Sequence, residues 1–227
     1  HVRDADASTM LERMYVQTTD TVLRGAGRDT FEAVKFLQSI QKQPYVPAAN
    51  ATYPRGRFGE SLRQIAQLIK ADVGVEVAFA DIGGWDHHIN EVGLRPSQGA
   101  LPNLLREFGQ ALAAFWHDLG DRMDDVAVVT MSEFGRTAHE NGNRGTDHGH
   151  ANVMFVLGGR VAGGKLHGQW PGLEREQLWE GRDLNITTDF RDVLGELVSS
   201  HLGNKQLSAV FPGYEAGPAK FRGIIRS

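Results

Sequence analysis

Val126-Ala127-Val128-Val129-Thr130-Met131, running without a spacer into Ser132-Glu133-Phe134-Gly135-Arg136-Thr137, is the stretch on which the fold turns. A continuous apolar run ending in a polar cluster predicts a strand covered on both faces, as in an α/β sheet, with Glu133 at its carboxyl end. Open α/β sheets bind ligands beyond their strand ends. Glu133 can there ligate a metal or act as general base, while Arg136 can neutralise an oxyanion such as phosphate or sulfate. An ion pair between the two that only closes the strand end is the alternative reading.

Working outward, a helix is expected from Ala100 to Arg122 with Leu104, Leu105, Phe108, Leu112, Phe115, Trp116 and Leu119 on its buried face. Asn152-Val153-Met154-Phe155-Val156-Leu157, ended by Gly158-Gly159, and Val75-Glu76-Val77-Ala78-Phe79-Ala80 read as two further buried strands. Near the start, apolar residues at helical spacing predict a helix from Ser8 to Leu23 interrupted by Gly25 to Gly27. A second, capped by Asp29 or Thr30, should stop at Pro44-Tyr45-Val46-Pro47, and a third carries Leu62, Ile65, Ala66, Leu68 and Ile69. Thr188 or Asp189 can cap a last helix, with Gly203 just past its end. Residues 1–72 are thus expected to be mainly helical and 73–227 to carry the sheet, within one domain. The alternation argues for a three-layer α/β/α architecture.

Two more polar clusters fall beside the predicted strands. Asp81-Ile82-Gly83-Gly84-Trp85-Asp86-His87-His88 follows the first, and Asp86 and His88 can approach one cation if the backbone between them is extended. Asn141-Gly142-Asn143-Arg144-Gly145-Thr146-Asp147-His148-Gly149-His150 precedes the third and gathers a carboxylate and two imidazoles in a glycine-rich loop. Borderline cations favour that oxygen and nitrogen set. A polar turn built on an Asx motif is the simpler alternative there. His117 and His201 fall on predicted helices, where a helix-dipole role fits better than catalysis.

Composition bounds the function classes. Of 227 residues, 41% are apolar and 23% charged, which indicates an ordinary folded protein. A net charge of -4 with no basic cluster argues against nucleic acid, and no apolar run is long enough for a membrane span. The absence of cysteine excludes thiolate ligands and thiol nucleophiles, so any metal must use His and carboxylates. Neither a Gly-x-Ser-x-Gly elbow nor a His-Glu-x-x-His helix is present, which counts against a serine-hydrolase triad of that type and a zincin peptidase. A first residue His1 rather than Met leads us to expect sequence upstream.

Gly84-Trp85-Asp86-His87-His88, Ser132-Glu133-Phe134-Gly135-Arg136-Thr137 and Gly145-Thr146-Asp147-His148-Gly149, in that order, resemble domain-of-unknown-function family 1501, a branch of the alkaline phosphatase and sulfatase superfamily. The likeness continues through Val156-Leu157-Gly158-Gly159, Gly168-Gln169-Trp170-Pro171-Gly172-Leu173 and Thr187-Thr188-Asp189-Phe190-Arg191. It implies the three-layer alkaline-phosphatase-like fold, of which this chain would be the carboxyl-terminal part, with the nucleophile upstream. It also implies export by a twin-arginine signal to the periplasm or beyond. Asp86 and His88 look like the first metal-binding pair, Glu133 the second ligand motif, and His148 the third, supported by Asp147, with Arg136 beside the anion. The resemblance points to a divalent metal, zinc first and manganese, magnesium or calcium as alternatives, and to phosphate or sulfate esters, including sulfated or phosphorylated glycans, as substrates. The spacing of Asp86 to His88 is tighter than in metal-dependent relatives, and Glu133 stands where many carry Asp-His. The rival expectation is a non-catalytic exported module that binds a cell-surface glycan or a protein.

Overall fold

A computed structural model describes residues 5–226. The chain is a mixed α/β protein. Helices α1 (Ala5–Gln17), α2 (Thr21–Gln41), α3 (Arg57–Lys70) and α4 (Ala100–Leu119) precede four short strands, β1 (Ala127–Val129), β2 (Gly135–Arg136), β3 (His148–Gly149) and β4 (Val156–Gly158). Helix α5 (Phe190–Glu196), prolonged by a π-helical turn at Leu197–His201, and α6 (Leu207–Val210) follow.

The first helix break falls before the glycines expected to make it. Asp20 caps α2 by accepting from the backbone N–H groups of Val22 and Leu23, at 2.9 and 3.1 Å, so the chain turns at residues 18–20 and Gly25 and Gly27 lie inside α2. Gly27 instead allows close packing, since a Cβ there would sit 2.5 Å from the Tyr15 ring of α1. A Lys35–Glu12 ion pair at 2.6 Å and an edge-on Tyr15–Phe31 contact join the two helices.

Helices α3 and α4 build the larger core. Phe58, Leu62 and Ala66 of α3 meet Ala111, Phe115 and Leu119 of α4 and Met123, each set recurring at the three- and four-residue spacing of a helix face. Leu105 and Trp116, expected on the buried face of α4, are 49% and 41% exposed. Helix α4 stops at Leu119 rather than Arg122, because Gly120 takes φ 53° and starts a 3-10 turn over Gly120–Asp125. Buried Asp118 of α4 accepts hydrogen bonds from Tyr45 Oη (2.6 Å), Tyr53 Oη (2.8 Å), the Ala48 N–H (2.9 Å) and Lys70 Nζ (2.5 Å), which pins the loop between α2 and α3.

Strand β1 separates that core from a second one. Val128 packs against the α3/α4 cluster, while its neighbours Ala127 and Val129 pack against Val161, Val193, Leu197 and Ile224 on the α5 side. Successive strand residues point to opposite faces, so helices cover both sides of β1. Its partner is β4, antiparallel, with Val128 opposite Leu157. The strand is shorter than its apolar run, for Met131 is 58% exposed. In the third run the ladder covers Val156–Gly158, and next to it the Phe155 carbonyl accepts from the Thr130 N–H at 3.0 Å, while Val153 and Phe155 are 61% and 52% exposed.

Val75 to Ala80 is not a buried strand. The segment lies outside both ladders, and among the described residues no backbone group pairs with it. Val77 and Phe79 are 78% and 86% exposed, and only Ala80 and Ile82 reach the α3/α4 core. A strand exists by virtue of its neighbours, and β propensity alone cannot supply them. At the other end the structure keeps the expected cap, Asp189 accepting from the Arg191 N–H at 2.9 Å, and Gly203 takes φ 73° past the final turn.

Candidate metal centre

Three loops converge through backbone contacts before any side chain is considered. Trp85 donates its indole N–H to the Ile82 carbonyl at 2.6 Å and packs edge-on against Phe108 of α4, fixing the first loop on the core. The β2–β3 ladder sets Gly135 opposite Gly149 and Arg136 opposite His148. The third loop folds on Asn141, whose Oδ1 accepts from the N–H groups of Asn143 (2.8 Å) and Gly145 (3.2 Å). Thr146 N–H to the His87 carbonyl (3.2 Å), Asn90 N–H to Asn143 (3.0 Å) and Glu91 N–H to Arg144 (2.9 Å) then join the first and third loops.

Gly145 makes that junction possible. A Cβ at this buried position would lie 2.3 Å from the His88 carbonyl carbon, closer than atoms tolerate. Arg136 completes the tie, donating to the Thr146 carbonyl at 2.5 Å and to the Trp85 carbonyl, with Asp86 Oδ1 at 3.4 Å. Its guanidinium therefore bridges the first and third loops.

At the junction Asp86 Oδ1 lies 3.0 Å from His88 Nε2 and 2.7 Å from His148 Nε2. One ligand atom from each of the three residues falls within 4.8 Å of the others. The two imidazole rings are 5.0 Å apart. Asp86 and His88 do not converge along extended backbone, as the sequence suggested; the His88 N–H closes a tight turn onto the Asp86 carbonyl at 3.2 Å. His88 is oriented from behind, its Nδ1 2.8 Å from Asp147 Oδ1, which also accepts from Asn141 Nδ2 at 3.0 Å. His148 is held by Phe134, stacked on its ring at 4.2 Å and 11°, with the Arg136 guanidinium 4.9 Å from the other ring's centre.

The electrostatics follow from these contacts. The hydrogen bond with His148 is the main influence holding the Asp86 carboxyl below the usual carboxylate range, with the His88, His148 and Arg136 charges adding to it. Asp147 is lowered chiefly by its bond to His88, then by Asn141. Both stay anionic at neutral pH, and the Asp86, His88 and His148 side chains are 59%, 42% and 52% exposed, so a ligand can reach them from solvent. One carboxylate oxygen and two imidazole nitrogens, with His88 backed by a carboxylate, is a donor set suited to a borderline divalent cation such as zinc.

Of the residues singled out in the sequence, the structure brings together Asp86, His88 and His148, and places Asp147 behind His88. Glu133 is exposed and outside the three-residue cluster. Asn141 makes the Asx turn that the sequence offered as the simpler alternative for the third loop, while Phe134, two residues before Arg136, had no role in the sequence reading. His150, outside the three-residue cluster, stacks on Trp179, ring centres 4.5 Å apart.

Fold and site together define a mixed α/β protein with a carboxylate and two histidines meeting at the junction of three loops. The chain belongs to the family described as Protein of unknown function (DUF1501), which matches residues 8–203. No curated protein and no solved structure matches it.

Proposed function

We propose that this chain is the metal-binding part of a hydrolase-like protein acting on phosphate or sulfate esters, on a three-layer fold of the alkaline phosphatase and sulfatase type. The observation that carries the proposal is Asp86 Oδ1 between His88 Nε2 of its own loop and His148 Nε2 of the third loop, at 3.0 and 2.7 Å. Helices packed on both faces of β1 support the three-layer reading, since that is the local arrangement such a fold requires. When bound, a divalent metal supplies Lewis-acid polarisation of the ester oxygen. Asp86, His88 and His148 would hold it, and Asp147 keeps the His88 ring turned so that Nε2 faces the site. Arg136 fixes the loops and sets positive charge beside Asp86. Export of the protein, by the twin-arginine route, belongs to the same proposal.

The test is ester hydrolysis by the zinc-loaded full-length protein, with p-nitrophenyl phosphate and p-nitrophenyl sulfate. The proposal expects product release that chelation abolishes and that His148→Ala removes. A non-catalytic binding module is the second reading, favoured by Arg136, whose bonds to two backbone carbonyls give it a structural task. Metal-dependent anion binding without product release would select that reading.

A further inference from the structure

Beside the three-residue cluster stands a tight turn that the site as described leaves unused. Trp179 and Asp183 exchange backbone hydrogen bonds at 2.8 and 3.0 Å, closing a turn whose apex, Glu180 and Gly181, takes φ 52° and 67°. A left-handed glutamate is strained and persists only where the surroundings enforce it. Here they do. Asp183 bridges to Thr137, and the Ala138 N–H donates to the Arg182 carbonyl at 3.1 Å, so the turn is bound to the chain leaving β2.

Three side chains of this region are tied to the cluster's neighbourhood through short links. His150, one residue past the end of β3 and two past His148, stacks flat on Trp179 at 7°. Trp179 nevertheless keeps 46% of its surface open to solvent, which is large for an indole already covered by a ring. Arg182, anchored to Asp183 at 2.9 Å, is 61% exposed and near enough to Asp147 for its charge to be felt there.

Resting on the metal-site reading above, we infer that Trp179, backed by His150 and flanked by Arg182, is the subsite for the alcohol portion of the ester, and that this portion carries a six-membered ring. An open indole face recognises the flat apolar face of an aryl group or a sugar, whereas a short alkyl alcohol gives it nothing to cover. The cationic Arg182 beside Asp147 suits a substrate whose anionic group points to the cluster. The shared chemistry is a ring bearing a phosphate or sulfate.

Calorimetric titration of the zinc-loaded protein with phenyl phosphate, glucose 6-phosphate and methyl phosphate tests this, with zinc stoichiometry measured on every variant. A ring-bearing ester should bind about threefold to tenfold more tightly than methyl phosphate. Trp179→Ala should abolish the preference while keeping the zinc, and Trp179→Phe should restore part of it. Preference for phenyl phosphate identifies an aryl ester, and preference for glucose 6-phosphate a sugar ester. Equal affinity for all three in the wild type, or a preference that survives Trp179→Ala, overturns the subsite and leaves the metal-site reading standing. Zinc-loaded wild type that binds none of the three overturns the subsite and, with it, the phosphate-ester reading of the proposed function.

Discussion

Arg136 stands opposite His148 across the β2–β3 ladder, and this register places a guanidinium and a metal-ligand candidate side by side. From there Arg136 reaches the Trp85 and Thr146 carbonyls, and His148 reaches Asp86. The ladder is thus the device that assembles the site, since a one-residue slip would put Arg136 and His148 on opposite faces.

Replacing Arg136 should damage assembly before chemistry. Arg136→Ala removes charge-assisted bonds to two partly buried carbonyls and should cost about 1–3 kcal/mol, read by urea denaturation. Arg136→Lys should recover less than half of that, because an ammonium cannot span both carbonyls as a planar fork does.

Asp147 should act on the metal through His88. Asp147→Ala is expected to weaken zinc affinity by about 10–100-fold while leaving the number of ions bound at saturation unchanged, as competition with a chromophoric chelator would show. A loss of stoichiometry would instead make Asp147 a direct ligand.

Gly145 is a test of close packing. Gly145→Ala drives a methyl into the His88 carbonyl and should lower stability by about 1–3 kcal/mol and zinc affinity together. Gly142→Ala, in the same loop with open space around it, should leave zinc binding unchanged.

A pH dependence follows from Asp118. Burial on its own raises this carboxyl, but the bonds from Lys70, Tyr45, the Ala48 N–H and Tyr53 outweigh it and hold it below the usual range. A depressed folded value means stability that is present above the unfolded value, about pH 3.9, and lost as pH falls through the folded one. Asp118→Asn should lower stability by about 2–3 kcal/mol at pH 7 and flatten the decline of Tm below about pH 4.

The site was more legible than the frame around it. Asp86, His88 and His148 could be named because their donor types sit in glycine-rich loops next to apolar runs, and local chemistry reports such clusters directly. Their convergence could not be read, because it depends on pairings such as Gly145 against His88 that join residues more than fifty positions apart. Glu133, next to a strand end in sequence, lies outside the cluster, since the strand ends at Val129 and a bend follows. Gly25 and Gly27 looked like a helix break, but the Asp20 cap decides the boundary and Gly27 serves the packing of α1 on α2. Val75 to Ala80 has the composition of a strand and lacks the partners that would make it one.

The most direct test of the central claim is elemental analysis by mass spectrometry of the dialysed protein after exposure to zinc, for the wild type and for Asp86→Ala, His148→Ala and Glu133→Ala. The geometry predicts about one zinc per chain in the wild type and in Glu133→Ala, and little or none in Asp86→Ala and His148→Ala. Zinc retained in full by the Asp86 and His148 variants, or absent from the folded wild type, would contradict the assignment of this junction as a metal centre.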